Sequence, residues 1–265
     1  MKKRLKDIFD ADSSTSDYAA AIFSEFGLSA DEHYDLLVVA PGWTPVKIMK
    51  DFDLEITTTV KHSYISGYEV KGDGFLIAWI QTSPGACSLI DELSLCAFLD
   101  FDKMIFLGAV GSLSKDIGLG AICTPLYSIS GNLANGYLLE DIRDYKPFGR
   151  VYPNDPEFVS EIMDLIRDMG YEIIQEPVFC TATVLCEYAH MDFINSFDVK
   201  LIEMETSSFY LMADLMEKPA AALLVVSDNS ATGDSLVLRT PEQKAIYNES
   251  RFKRIPEIVL KIAGS

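Results

Sequence analysis

The chain has 265 residues, of which 49% are hydrophobic and 23% are charged, so it has ample material for a folded core and is not expected to be disordered. Its net charge of −18 at pH 7 argues against a nucleic-acid partner, because phosphate backbones are bound through lysine and arginine. No apolar run approaches the roughly 18 residues of a membrane span, no signal peptide is recognisable, and the scattered cysteines and histidines do not suggest a metal site. We therefore expect a cytoplasmic protein with no metal and no membrane partner.

Residues 1–33 predict an N-terminal helical extension made of two short helices joined by the polar run 12–17. Ser16 or Asp17 is expected to cap the second helix, which has an apolar face. That face carries Tyr18, Ala21, Ile22 and Phe26. Residues 34–265 are expected to form a single α/β domain.

The first confident strand of that domain is predicted at residues 35–40, followed by the turn 41–45 and a helix at 46–51. A strand, a glycine-containing turn and a helix N-terminus together form a corner that suits an anion, although the P-loop sequence is absent. Residues 55–81 predict further strands with a hairpin turn at 72–74.

Helices and strands alternate through the rest of the chain, which predicts a single α/β domain whose central twisted mixed β-sheet is flanked by helices. Residues 130–156, rich in Gly, Asn, Asp and Pro, interrupt this pattern and are typical of a lid or a partner contact. The predicted helices are 86–98, 155–169, 206–217 and 241–262, and the predicted strands are 103–107, 120–128, 171–179, 199–202 and 220–226.

Acidic residues directly follow two of these strands. The apolar run 220–226 ends in Ser227 and Asp228, and the strand 199–202 is followed by Glu203 and Glu205. Ligands of open α/β sheets bind beyond the carboxyl ends of the strands, so both positions suit a functional acid. The alternatives are that Asp228 caps a turn and that Glu205 is an acid favoured by the dipole at a helix N-terminus.

Three blocks, in this order, resemble the nucleoside phosphorylase family, which includes hexameric purine nucleoside phosphorylase, uridine phosphorylase and methylthioadenosine nucleosidase. Residues 105–112 are similar to the family's glycine-rich strand end, and residues 202–208 to its V-E-M-E-A-A signature. Residues 226–234 are similar to the S-D-x-x-x-T-G-E block of the purine enzymes. The resemblance extends weakly from about residue 41 to about residue 260 and implies a nucleoside phosphorylase-like fold.

The resemblance also implies roles for individual residues. Asp228 is the acid that donates a proton to N7 of a purine, which requires a pKa raised by burial. Glu205 binds the ribose hydroxyls, Met204 contacts the sugar, and Glu203 is a weaker ribose-binding candidate. The implied base-binding residues are Phe179, Cys180, Thr181 and Asn229, although a buried phenylalanine is as often simply part of the core.

The sequence departs from the family where phosphate binds, because the family's arginines, whose geometry suits phosphate, are missing. Phe106 and Ala109 stand in the first block where an arginine is expected, and residues 42–47 replace the relatives' G-D-P-x-R. A third arginine, lent by a neighbouring subunit in the family, has only Lys61 and His62 near its position. The remaining phosphate-binding candidates are Gly42, Lys47, Gly108 and Ala109.

Three functions are therefore open. The predicted one is a nucleoside phosphorylase that cleaves the N-glycosidic bond of a purine nucleoside, with phosphate as co-substrate and no cofactor, because Glu205, Asp228 and residues 232–234 match the purine-type enzymes. The second is a nucleosidase that uses water, although the early glutamate of that branch is absent from residues 42–51. The third is a non-catalytic nucleoside- or nucleobase-binding protein. By resemblance we expect a homo-oligomer (dimer, trimer or hexamer), with Lys61, His62 and residues 130–156 as candidate contacts.

Overall fold

The structure is a computed structural model that describes residues 1–12, 14–15 and 17–265. It begins with the two predicted short helices, α1 (Lys3–Ala11) and α2 (Tyr18–Phe26). The side chain of Asp17 accepts a hydrogen bond from the backbone amide of Ala20 and so caps α2; the alternative cap, Ser16, lies outside the described residues. Both helices contribute fully buried side chains to the core, namely Leu5, Ile22 and Phe26.

Ten strands of the described chain form one mixed sheet, which confirms the predicted fold class. The strands are β1 (His33–Val39), β2 (Glu55–Lys61), β3 (Ser66–Gly72), β4 (Phe75–Gln81), β5 (Asp100–Ser112), β6 (Ile122–Ser130), β7 (Arg150–Val151), β8 (Ile174–Cys180), β9 (Leu201–Glu203) and β10 (Ala220–Asn229). Their order is β10-β6-β8-β9-β5-β1-β4-β3-β2, and β7 pairs with β6. Because β5 also pairs with β10, the strands β5, β9, β8, β6 and β10 close into a ring.

Helices cover both faces of this sheet. They are α3 (Pro45–Ile48), α4 (Ala86–Leu95), α5 (Pro156–Asp168), α6 (Met191–Asn195), α7 (Thr206–Met216), α8 (Pro241–Glu249) and α9 (Ile255–Ala263). Adjacent residues of β10 belong to different apolar clusters: Leu224 packs in the cluster that contains Phe209 of α7, and Leu223 in the one that contains Ile258 of α9. A strand buried on both faces needs a continuous apolar sequence, which explains the run at 220–226.

Three predicted elements differ in their extent. The helix predicted at 241–262 contains a π-helical segment, Ser250–Arg254, between α8 and α9; it lies directly before Pro256, which has no amide hydrogen for the carbonyl four residues earlier. Strand β5 continues through residues 108–112 because these residues stay paired with β10. The helix predicted at 46–51 is only the single turn of α3.

The predicted hairpin is present, since Gly72 pairs with Phe75 across the turn between β3 and β4. Residues 130–156 contain two short 3-10 turns, Ala134–Leu138 and Ile142–Asp144, and the two-residue strand β7. Among the described residues, no helix combines the length and the apolarity needed to cross a bilayer.

Candidate active site

Asp228 projects from the carboxyl end of β10, where the strand pairs in parallel with the carboxyl end of β5. The register shifts between Val226 and Asp228, and such a bulge redirects the side chain that follows it. A Cβ atom on Gly111 of β5 would lie 3.1 Å from Oδ2 of Asp228. The missing side chain at Gly111 therefore makes room for the carboxyl group.

Glu203 and Glu205 sit on either side of the junction between β9 and α7, but their surroundings differ. Oε2 of Glu203 accepts hydrogen bonds from the backbone amides of Glu205 (2.7 Å) and Thr206 (2.8 Å), and its Oε1 accepts from the Thr206 hydroxyl and the Cys180 thiol. Glu205 accepts one side-chain hydrogen bond, from the backbone amide of Gly85 to Oε1. Glu203 thus holds the first turn of α7, while Oε2 of Glu205 has no hydrogen-bond partner among the described residues.

Glu205 and Asp228 line the same cavity, which we call the reaction cavity and whose volume is about 300 Å³. Met204 and Glu203 also contribute to its wall. The remaining lining residues are Pro41, Trp43, Pro84, Phe106, Gly108, Ala109, Gly111, Thr181, Val184, Glu187, Ile202, Ser227 and Leu236.

The acids of the reaction cavity are all harder to ionise than in water. Burial, followed by the charge of Glu203, raises the pKa of Glu205 to about 8. Burial also raises the pKa of Asp228, against the opposing effects of the Ser227 hydroxyl and the positive charge of Arg239. For Glu187, burial and then the charge of Asp228 raise the pKa to about 7. A carboxyl group that stays protonated near neutral pH is suited to act as a general acid.

The predicted phosphate-binding residues are only partly brought together. Gly108 and Ala109 line the reaction cavity, but Gly42 and Lys47 do not. Lys47 points to solvent because its neighbours in the short α3 turn, Ile48 and Met49, are buried in the core. Among the described lining residues there is neither a lysine nor an arginine.

Two arginines lie close to the reaction cavity without lining it. The Nε of Arg239 donates a hydrogen bond of 2.7 Å to the backbone carbonyl of Ser227, beside Asp228. The guanidinium group of Arg251 stacks 4.6 Å from the ring centre of Trp43. The sequence interpretation assigned neither residue a role.

The predicted base-binding residues separate in the structure. Thr181 lines the reaction cavity, whereas Phe179 does not. Cys180 is fully buried, and its thiol donates a hydrogen bond to Glu203. The amide group of Asn229 donates to the carbonyls of residues 114 and 117 and accepts from the amides of residues 231 and 232, so it is used within the protein.

Val184 and Glu187 line the reaction cavity although the sequence analysis did not select them. Val184 lies in a turn after β8 and Glu187 in the 3-10 helix Cys186–His190, which is too short for a sequence periodicity that would predict side-chain directions. Elsewhere, His33, Asp35 and Asp102 offer ligand atoms within 4.8 Å of one another. That group surrounds the amino ends of β1 and β5, at the opposite edge of the sheet from the reaction cavity.

Sequence comparisons identify relatives of this chain. Residues 58–261 match the Phosphorylase superfamily. The chain is 25% identical over 163 residues to a purine nucleoside phosphorylase DeoD-type of Oceanobacillus iheyensis, and 23% identical over 161 residues to that of Bacillus subtilis. Each match covers 61% of this chain and 64% of the relative, so the chain spans slightly less than two thirds of the length of these curated relatives.

Solved structures show the same fold. The AMP nucleosidase from Bacteroides thetaiotaomicron superposes with a TM-score of 0.65 at 17% identity, covering 91% of this chain and 96% of that one. The 5'-methylthioadenosine/S-adenosyl homocysteine nucleosidase of Campylobacter jejuni gives a TM-score of 0.67 at 13% identity, covering 87% and 99%. This family works without a cofactor, in agreement with the expectation from the sequence. The chain therefore belongs to the phosphorylase superfamily, as its three ordered sequence blocks predict.

Proposed function

We propose that this protein cleaves the N-glycosidic bond of a purine nucleoside and that the nucleophile is water. One observation carries this proposal: Glu205 and Asp228 line one cavity of about 300 Å³ whose described lining contains four carboxyl groups and no lysine or arginine. Two acids on one cavity match the two charges that develop during cleavage, positive on the sugar and negative on the departing base.

Asp228 acts on the base. Its carboxyl group, whose pKa is raised by burial, donates a proton to N7 of the purine as the bond between C1′ and N9 breaks and the electron pair of that bond moves onto the base. A proton at N7 makes the purine a neutral leaving group. The positive charge of Arg239 stabilises the carboxylate that is left behind.

Glu205 acts on the sugar. Its unpartnered oxygen accepts hydrogen bonds from ribose hydroxyls, and these donors favour its ionised form once the nucleoside is bound. The carboxylate then stabilises the positive charge that develops at C1′. Water adds to C1′, the proton that it releases passes to solvent, and Asp228 regains a proton from solvent.

Water is favoured over phosphate by the electrostatics of the cavity. A phosphate dianion would have to enter beside Glu187, Glu203, Glu205 and Asp228 with no cationic side chain on the described walls. Burying an unpaired charge is strongly unfavourable, whereas water carries no charge. On the side of the cavity formed by Trp43, Phe106 and Ala109, the indole nitrogen of Trp43 is the only polar side-chain atom, and none of these three side chains is charged.

Phosphorolysis, the reaction predicted from the sequence, is the second candidate. It is favoured by the similarity to the purine nucleoside phosphorylases of DeoD type and by the position of Gly108 and Ala109 on the cavity wall. A non-catalytic binding protein is the third. In a superfamily of oligomers, we also propose that the protein is a homo-oligomer, whose mass light scattering after gel filtration would measure.

The discriminating experiment measures base release from adenosine, inosine and guanosine, with and without phosphate. We expect release of base and free ribose at rates that do not depend on phosphate, and no release by the Asp228→Asn variant. Ribose 1-phosphate formed only in the presence of phosphate would replace hydrolysis by phosphorolysis. Nucleoside binding without turnover in either buffer would refute both reactions.

A further inference from the structure

A second cavity of about 340 Å³ adjoins the reaction cavity. Its walls are mainly apolar and include the rings of Phe148, Phe179 and Phe193, so we call it the aromatic cavity. Thr181 and Glu187 line both cavities and therefore mark the junction between them. No step of the proposed reaction uses the aromatic cavity.

The rings around the aromatic cavity pack against one another, and two of the three are left partly uncovered by the protein. The ring of Phe148 lies 4.9 Å from that of Phe193 and 6.1 Å from that of Phe179. Phe148 and Phe193 nevertheless remain 37% and 46% exposed. Large aromatic side chains contribute most when buried, so these walls offer contact area that the chain itself leaves unused.

Phe148 is also held in an unfavourable backbone conformation. Its φ angle is +63°, in the left-handed region that is unfavourable for a residue with a side chain. A hydrogen bond of 2.9 Å from its amide to the carbonyl of Ser130 fixes it there. Strain of this kind often accompanies a functional position, and here it directs the ring onto the aromatic cavity.

The chemistry of purines indicates which part of a bound base would lie at the junction of the two cavities. N7 and the substituent at C6 lie on the same edge of the purine ring. If Asp228 faces N7, as the proposed function requires, the C6 substituent points past Asp228 toward the nearby Glu187, whose ionisation senses the charge of Asp228. The aromatic cavity begins at that side chain.

We propose that the aromatic cavity binds an apolar, preferably planar, group carried on the 6-amino nitrogen of the purine, so that the protein prefers N6-substituted adenine nucleosides to adenosine. The inference rests on the proposed function for the orientation of the base. Glu187 accepts a hydrogen bond from the remaining N–H of the substituted amino group. The rings of Phe148, Phe179 and Phe193 contact the substituent.

The test compares the binding of adenosine and N6-benzyladenosine to the full chain by titration calorimetry. Burying a side chain the size of phenylalanine contributes about 1.5–3 kcal/mol, so we expect N6-benzyladenosine to bind about 10- to 100-fold more tightly. Cys186 lines the aromatic cavity and not the reaction cavity, and Cys186→Trp should fill the space and reduce this ratio to near one. The matched control is Cys87→Trp, because Cys87 is exposed and lines neither cavity; it should leave the ratio unchanged.

Each outcome distinguishes the inference from the proposed function. Equal affinities of the unmodified protein for adenosine and N6-benzyladenosine would overturn the inference, even if adenosine is cleaved. This result would arise if the aromatic cavity binds nothing or is filled by a second copy of the chain. The inference would also be overturned if Cys186→Trp left the preference for N6-benzyladenosine over adenosine unchanged. Tight binding of N6-benzyladenosine that Cys186→Trp abolishes, without cleavage of either nucleoside, would support the inference and refute only the reaction.

Discussion

The reaction cavity has two unlike walls. On one, which we call the acid wall, Glu203, Glu205 and Asp228 are placed by β9, α7 and β10. On the other, the apolar wall, Trp43, Phe106 and Ala109 occupy the region where the sequence resemblance leads one to expect phosphate-binding groups. Under the proposed function, the acid wall supplies the groups that break the glycosidic bond, whereas the side chains named on the apolar wall are all uncharged. The difference teaches that, under the proposed function, the groups that cleave the bond and those that select the nucleophile lie on different walls of one cavity.

The largest effect is expected from replacing the carboxyl group of Glu205 on the acid wall by an uncharged amide. Glu205→Gln should lower kcat/KM for a purine nucleoside by about 10²- to 10⁴-fold, because the amide cannot stabilise positive charge at C1′. Steady-state kinetics measure the effect, and circular dichroism serves as the control that the fold is retained. Activity within a few fold of the unmodified protein would show that Glu205 has no role in the reaction.

Within the acid wall, Glu203 and Glu205 should separate stability from activity. Glu203→Ala leaves two buried backbone amides and a hydroxyl without their acceptor, so it should reduce the free energy of unfolding by about 3 kcal/mol. The matched variant Glu205→Ala frees only the amide of Gly85 and should cost about 1 kcal/mol. Urea denaturation measures both, and equal losses would contradict the structural role of Glu203.

The pH dependence of stability provides a further test of the acid wall. The pKa of Glu205 is about 8 in the folded protein, above its ordinary value of 4.5. The stability that this carboxyl group contributes is therefore fully present below pH 4.5 and is lost as the pH rises through about 8, by at most about 1.4 kcal/mol per pH unit. Glu205→Gln should make the dependence between pH 5 and pH 8 shallower in denaturation experiments, and an unchanged slope would show that Glu205 is ionised throughout.

The smallest effect on activity and stability is expected from a substitution at Lys47, which lies outside the apolar wall. Lys47 is exposed and does not line the reaction cavity, so Lys47→Ala should change kcat/KM by less than about twofold and stability by no more than about 0.5 kcal/mol. Assays in the presence of phosphate measure the first quantity. A large rise in KM for phosphate would restore Lys47 as an anion-binding residue and would support phosphorolysis.

Local patterns in the sequence predicted many of the elements of this structure. The apolar run 220–226 and the acids that follow it predicted a buried strand with a carboxyl group at its end, and the three family-like blocks predicted the fold. These features depend on neighbouring residues along the chain, where strand period, burial and turn chemistry operate. The same holds for the hairpin at 72–74 and for the Asp17 cap.

Only the tertiary structure decided which side chains meet. It directs Phe179 to the aromatic cavity, uses both oxygens of Glu203 to hold α7, and brings Val184 and Glu187 from the segment after β8 onto the reaction cavity. The positions of Phe179, Val184 and Glu187 depend on packing between segments that are far apart in the chain, which no local pattern encodes. The hydrogen bonds of Glu203 reach residues only two and three positions further on, but nothing in the local sequence distinguishes its role from that of Glu205. The sequence by itself determined which groups stand at the strand ends. The tertiary structure decided which of these groups remain free to bind a ligand, because a group that already makes its hydrogen bonds inside the protein is not available to a substrate.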